Sequence, residues 1–184
     1  MPVKKTNTTK RTTATKAKSA SAKGKAAKDD MHGITLKEGQ AAPKFKLPDD
    51  EGNVVSLSDL KGKKVVLYFY PKDDTSGCTA EACSFRDGSA AIKKKGAVIL
   101  GVSPDPVKSH GKFRDKYELN FPLLSDEEKT VLSAYGVWQE KSMYGRKYFG
   151  VVRTTFIIDE NGKIAKIFPK VKVAGHYEEV LAAL

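Results

Sequence analysis

The chain is poor in the residues that usually announce a metal or disulfide scaffold: two Cys, three His and one Trp among 184 positions. Two thiols without further His or Cys ligands at suitable spacing exclude a structural zinc cluster. They also exclude a disulfide-dense secreted scaffold, and point instead to catalysis or redox exchange. His32, His110 and His176 are scattered and match no catalytic pattern, so each is expected at the surface or on a helix. Long apolar runs are missing too. No stretch suits a membrane span, and the N-terminus lacks the apolar segment of a secretory signal. These absences favour work in a reducing compartment, taken here as the cytoplasm, with no metal and no cofactor.

Acidic residues are nearly absent from the first thirty positions, which hold eight Lys and one Arg against Asp29 and Asp30. Nine cations less two anions give +7, which leaves +4 of the chain's +11 for the remaining 154 residues. The segment has no aromatic residue and no apolar periodicity, so burial cannot repay the entropy of ordering it. It reads as a disordered tail over residues 1–32, followed by one globular domain over residues 33–184. Three uses of the tail stay open. It is a non-specific nucleic-acid contact through residues 1–30, a targeting extension, or a solubilising tail without a partner. The first would place the protein in a nucleus or on a nucleoid. The low Arg content speaks against organelle targeting.

Residues 45–57 read as a short β-hairpin around Asp49-Asp50-Glu51-Gly52. Residues 64–70 and 97–103 are continuous apolar runs, as expected of strands in a sheet covered on both faces. Between them lies a helix over residues 79–95, ending in Lys93-Lys94-Lys95-Gly96, with basic residues and glycine at its negative end. Asp105 and Pro106 open a second helix as N-cap and first residue, running to about residue 119. A short strand over 121–126 precedes a helix over 127–135. Residues 136–150 read as irregular, with Trp138, Tyr144 and Tyr148 in core or loop packing rather than on a partner surface. A hairpin over 151–168 turns at Glu160-Asn161-Gly162, and a final helix spans 175–184. This order implies a three-layer α/β domain with a mixed central sheet.

Both cysteines sit between the first buried strand and its helix, in Asp73-Asp74-Thr75-Ser76-Gly77-Cys78-Thr79-Ala80-Glu81-Ala82-Cys83. A thiol in the first turn of a helix meets free backbone N–H groups and the positive end of the dipole, which favour the nucleophilic thiolate. On a regular helix, Cys78 and Cys83 point about 140° apart and are displaced by about 7.5 Å. A disulfide between them requires local unwinding. The spacing suits a pair that is apart when reduced and joined after a conformational change.

Pro71-Lys72-Asp73-Asp74-Thr75-Ser76-Gly77-Cys78 matches the Pro-x-x-x-Thr-x-x-Cys signature of the peroxiredoxins. The run from Cys78 to Asp87 resembles the bacterioferritin-comigratory-protein/PrxQ branch, whose second cysteine lies five residues along the same helix. Tyr144-Gly145 and the run from Arg153 to Asp159 resemble that branch as well. Three separated motifs in order, over residues 33–184, make the resemblance specific. Ser76 departs from it, standing where many relatives have proline, but serine still suits a turn.

The resemblance implies a thioredoxin-like fold and a thiol peroxidase acting on hydrogen peroxide and small organic hydroperoxides. It casts Cys78 as the attacking sulfur, with Thr75 hydrogen-bonding thiolate and peroxide, and Arg153 binding the peroxide oxygens. Pro71 would shape the pocket and shield the sulfenate. Glu81 would orient Arg153 from the same helix face, or serve only as a first-turn acid favoured by the dipole. Cys83 would condense with the Cys78 sulfenic acid, and thioredoxin or a similar dithiol would reduce the disulfide. The branch is often monomeric, and a monomer is expected. A thiol-disulfide oxidoreductase is the alternative, disfavoured because no Cys-x-x-Cys occurs. The nearly charge-balanced globular part leaves a nucleic-acid role as an addition only.

Overall fold

The computed structural model describes residues 33–184, and the tail expected over residues 1–32 lies outside the described residues. Strands β1 (Lys46–Pro48) and β2 (Val54–Ser56) pair antiparallel as the expected hairpin. Its turn is held by the Asp49 carboxylate, which accepts from the Glu51 and Asn53 amides at 2.9 and 2.8 Å. A 3-10 turn over Leu57–Leu60 leads into β3 (Lys64–Phe69). There follow α1 (Ser76–Lys94), β4 (Ala97–Ser103), α2 (Val107–Tyr117), β5 (Leu123–Ser125) and α3 (Thr130–Ala134). Strands β6 (Trp138–Met143), β7 (Arg146–Val151), β8 (Thr154–Ile158) and β9 (Ile164–Phe168) precede α4 (His176–Ala183).

The central sheet has the order β5-β4-β3-β8-β9, with β5, β4 and β3 parallel and β8 and β9 antiparallel to their neighbours. This is the mixed sheet of a thioredoxin-like fold. Its middle strand shows how the layers form. Val65, Leu67 and Phe69 face one core, shared with Val131, Leu132 and Tyr135 around α3 and with Leu47 of the hairpin. Val66, Tyr68 and Tyr70 face the other core, shared with Ala82 and Phe85 of α1, Phe113 of α2 and Val180 of α4. Period-two alternation thus feeds two covered faces, which is why the strand reads as continuously apolar. Each such side chain, fully buried, contributes roughly 1.5–3 kcal/mol.

Several expectations are corrected. Residues 136–150 are not irregular: β6 and β7 pair antiparallel in a separate two-stranded sheet. Its strands mix polar and apolar residues without a buried face, so no alternation marks them, and its turn is Tyr144-Gly145 rather than Asn-Gly. Both turn residues have positive φ, 51° and 76°. Tyr144 is 97% exposed and Tyr148 44% exposed, so neither packs into a core, whereas Trp138 does lie against one. The 127–135 helix begins only at Thr130, because the Asp126 carboxylate accepts from the Thr130 and Leu132 amides at 3.2 and 2.8 Å. Asp105 does not cap α2. Pro106 occupies that position, and the Asp105 carboxylate accepts from the Ser103 hydroxyl and the Asp73 amide at 2.7 and 2.9 Å. His110 and His176 lie on helices as expected, but both are fully buried. Each has a polar partner that sequence separation concealed: Asp73 for His110, Thr155 for His176.

Candidate active site

The C-terminal end of β3 delivers the chain into the turn at residues 71–75, and α1 starts directly after it. Thr75 is the N-cap, in extended conformation, and the Thr79 amide donates to its carbonyl at 2.8 Å. The helix therefore begins three residues earlier than composition suggested, and Cys78 is its third residue. The sulfur is buried between the first turn and the sheet, with Tyr68, Tyr70 and Ala82 in the same cluster.

Arg153 reaches this sulfur from the chain just before β8. It lies in the two-residue break between β7 and β8, not inside a strand as expected, and the antiparallel pairing of Phe69 with Thr154 brings it beside the end of β3. Its Nη2 donates to Cys78 Sγ at 3.2 Å, and its Nη1 donates to Glu81 Oε2. One planar fork thus holds a sulfur and a carboxylate, a geometry that a lysine cannot reproduce. Gly77 makes room for it: a Cβ there would stand 3.3 Å from Arg153 Nη2.

The charges act on one another in a largely dry setting. Burial pushes the Glu81 carboxyl up to about 7, against the opposing pull of Arg153. Burial also works against the Arg153 charge, yet Glu81 and Cys78 beside it hold the guanidinium above its ordinary value. Lys141, on β6, is lowered first by burial and then by repulsion from Arg153. Glu81 Oε1 is buried without a hydrogen-bond partner, and so is the hydroxyl of Tyr68. A carboxyl kept this dry beside a guanidinium is not an ordinary first-turn acid, whose usual place is solvent.

Cys78, Arg153 and Glu81 are therefore brought together. Cys83 lies one and a half turns further along α1, half-buried, and both thiols are free. The Thr75 hydroxyl donates to the Lys72 carbonyl at 3.0 Å and faces solvent, and Pro71 is exposed in the turn. What sequence reasoning missed is the polar network behind the turn, formed by Tyr70, Asp73 and His110. A lone His in a helix 37 positions from its Asp carries no signal of the pairing.

The model of the AhpC/TSA family matches residues 38–167 of the chain. A putative peroxiredoxin of Coxiella burnetii, named bcp, is 56% identical over 151 residues, which cover 82% of this chain and all of that protein. Peroxiredoxin Bcp of Bacillus subtilis is 49% identical over 82% of this chain and 96% of its own length. Among solved structures, the Xanthomonas campestris bacterioferritin comigratory protein, studied for alkyl peroxide reduction, superposes with a TM-score of 0.75 at 41% identity. That match covers 82% of this chain and 96% of the other. Peroxidoxin BcpB of Mycobacterium tuberculosis gives a TM-score of 0.72 at 37% identity, over 80% of this chain and 96% of that one.

Proposed function

From the premise that the chain belongs to the AhpC/TSA family, as a thiol peroxidase of its bacterioferritin-comigratory-protein branch, we propose that Cys78 is the sulfur that reduces the peroxide. The observation that carries this is the Arg153 guanidinium, 3.2 Å from a sulfur in the first turn of α1. The Cys78 thiolate attacks one peroxide oxygen. The O–O bond breaks, and the other oxygen leaves as hydroxide or alkoxide and takes up a proton. The products are water or an alcohol and a Cys78 sulfenic acid. Arg153 stabilises both the thiolate and the charge growing on the leaving oxygen. Glu81 holds the guanidinium in plane for this. Thr75 turns its hydroxyl from the Lys72 carbonyl toward the peroxide, and Pro71 walls the turn against water.

Cys83 then attacks the sulfenic sulfur, forming a disulfide and expelling the oxygen as water. The peroxide is hydrogen peroxide or a small organic hydroperoxide, and thioredoxin or a similar dithiol reduces the disulfide by exchange. Peroxide consumption with thioredoxin and its reductase tests the scheme. Cys78→Ser abolishes turnover, and its survival would refute the role of Cys78. Cys83→Ser stops recycling by thioredoxin, and full turnover by that variant would remove Cys83 as resolver.

The +7 segment at residues 1–30 adds a weak, salt-dependent contact with nucleic acid, supported by its charge density alone. Deleting it removes DNA retention at low salt, and unchanged retention ends this reading. The domain over residues 33–184 works as a monomer, checked by sedimentation, and in the cytoplasm, checked by fractionation. Among the described residues no helix is long and apolar enough to cross a membrane.

A further inference from the structure

Two aspartates precede the reactive helix, and neither is a free surface charge. Asp73 is 7% exposed and Asp74, next to it, takes a left-handed backbone with φ 55°. The Asp73 carboxylate accepts from the Tyr70 hydroxyl at 2.7 Å, from the Ser109 hydroxyl at 2.7 Å and from His110 Nδ1 at 2.9 Å. Its backbone amide donates to Asp105 Oδ2 at 2.9 Å, at the end of β4. His110 has no exposed surface, and its Nε2 donates to the Leu124 carbonyl of β5 at 3.2 Å. Its ring thus stands between two fixed oxygens, the Asp73 carboxylate on one side and the Leu124 carbonyl on the other. Asp74 makes a second attachment to the same helix, accepting from Lys116 Nζ at 2.7 Å and from the Tyr117 hydroxyl at 2.6 Å.

None of these groups reaches the sulfur or the guanidinium, and stability alone does not require them here. A buried polar pair is often no better for stability than apolar residues of the same shape. Its use is to fix one arrangement. This one joins the turn two residues before the Thr75 N-cap to three other elements: β4, α2 and β5.

We propose that Asp73 and His110 are positioning residues for peroxide reduction, a buried carboxylate–imidazole pair that fastens the turn ahead of Cys78 to α2 and β5. The inference rests on the reading of Cys78 as the attacking sulfur. The pair sets where the first turn of α1 begins, and so where the sulfur stands against Arg153. It holds that place while the helix beyond Cys78 opens toward Cys83.

The test is the second-order rate at which peroxide consumes the Cys78 thiol in the full chain, reduced beforehand, in single turnover with acid quench and mass analysis. A displacement of the turn by about 1 Å lowers the rate of Asp73→Ala about a hundredfold. Asp73→Asn keeps an oxygen for Tyr70, while its amide donates to the Ser109 hydroxyl and to Nδ1 of a His110 protonated at Nε2, and the variant recovers to within about tenfold of wild type by the same geometric reasoning. The Michaelis constant for thioredoxin stays unchanged in both variants. Ser109→Ala removes one donor from a half-buried site and gives a smaller loss in the same rate, which serves if Asp73→Ala does not fold. A merely structural pair would lower the urea midpoint of Asp73→Ala and leave the rate per folded molecule at the wild-type value. That result, or an Asp73→Asn variant as slow as Asp73→Ala, would overturn the proposal. A wild-type Cys78 that peroxide does not consume would instead remove the reading of Cys78 itself.

Discussion

Replacing Glu81 by Gln separates what the buried carboxyl costs from what it does. Burial raises its pKa from the ordinary 4.5 to about 7. Below pH 4.5 the proton is bound in both the folded and the unfolded chain, and the stability of the neutral group is fully present. Between 4.5 and 7 the unfolded chain releases the proton while the folded chain keeps it. Stability therefore falls as pH rises through this window, and above 7 the loss is complete. The gap of about 2.5 units, 7 less 4.5, amounts to about 3 kcal/mol at 1.36 kcal/mol per unit. For a chain of this size that is on the order of 10 °C in Tm. Glutamine has no proton to lose, so its stability curve lacks this slope. The variant gains on wild type as pH rises from 5 to 8. Activity moves the other way. Above pH 7 Arg153 loses the anion that holds its fork, and there the rate of Cys78 oxidation falls about tenfold or more. Urea unfolding of both reduced proteins across pH 5 to 8 gives the first effect, and stopped-flow oxidation gives the second. Parallel pH curves for wild type and Glu81→Gln would refute the reasoning, because the difference between them isolates one titrating group.

Arg153→Lys keeps the charge but cannot hold Cys78 and Glu81 together, and lowers the rate of Cys78 oxidation by roughly a hundredfold in stopped flow. A near-wild-type rate would show that charge alone suffices. Gly88→Ala places a Cβ 1.9 Å from the ring of Tyr177, where α1 and α4 touch. It lowers the urea-unfolding free energy by about 1–3 kcal/mol, and adding Tyr177→Ala does not compound the loss. Amide hydrogen exchange at residues 78–85 rises when the Cys78–Cys83 disulfide is formed, and equal protection in the reduced and oxidised proteins would rule out unwinding of α1.

The parts legible in the sequence are those whose signal is local. Residues 65–70 announce a strand because six adjacent apolar side chains all need cover, and the structure covers them with two different cores. Cys78 at a helix start and Cys83 five residues on were equally plain, since helix geometry fixes what such a spacing means. The failures lie where the deciding partner is distant or the pattern is absent. Asp105 and Pro106 looked like a cap and first turn, but Ser103 and the Asp73 amide claim the Asp105 carboxylate. Nothing in the β6–β7 strands alternates, so period two had nothing to show. Glu81 was ambiguous between a surface acid and the partner of Arg153 until the sheet brought residue 153 to it, 72 positions away.

On the proposed mechanism the same helix must present Cys78 in one place and give way between Cys78 and Cys83, and the contacts around α1 are divided accordingly. Upstream, the turn is tied to α2 through Asp73 and Asp74. Downstream, Arg86 Nη1 donates to the Tyr117 carbonyl at the C-terminal end of α2, at 2.6 Å, and Phe85 is fully buried. Between these two attachments lie residues 75–84, and of their side chains only Cys78, Glu81 and Ala82 are buried. Ala82 contributes little area. Opening that stretch breaks a handful of helical hydrogen bonds, worth about 1 kcal/mol each net of solvation. The largest single loss is the Glu81–Arg153 contact, which the carboxyl's own desolvation already offsets in part. On the proposed mechanism, a buried acid in the segment that unwinds lowers the barrier to forming the disulfide, while in the folded helix it aims the guanidinium at the sulfur. The substitution Glu81→Gln acts on both steps: it slows the oxidation of Cys78, and by stabilising the closed helix above pH 7 it slows condensation with Cys83 as well.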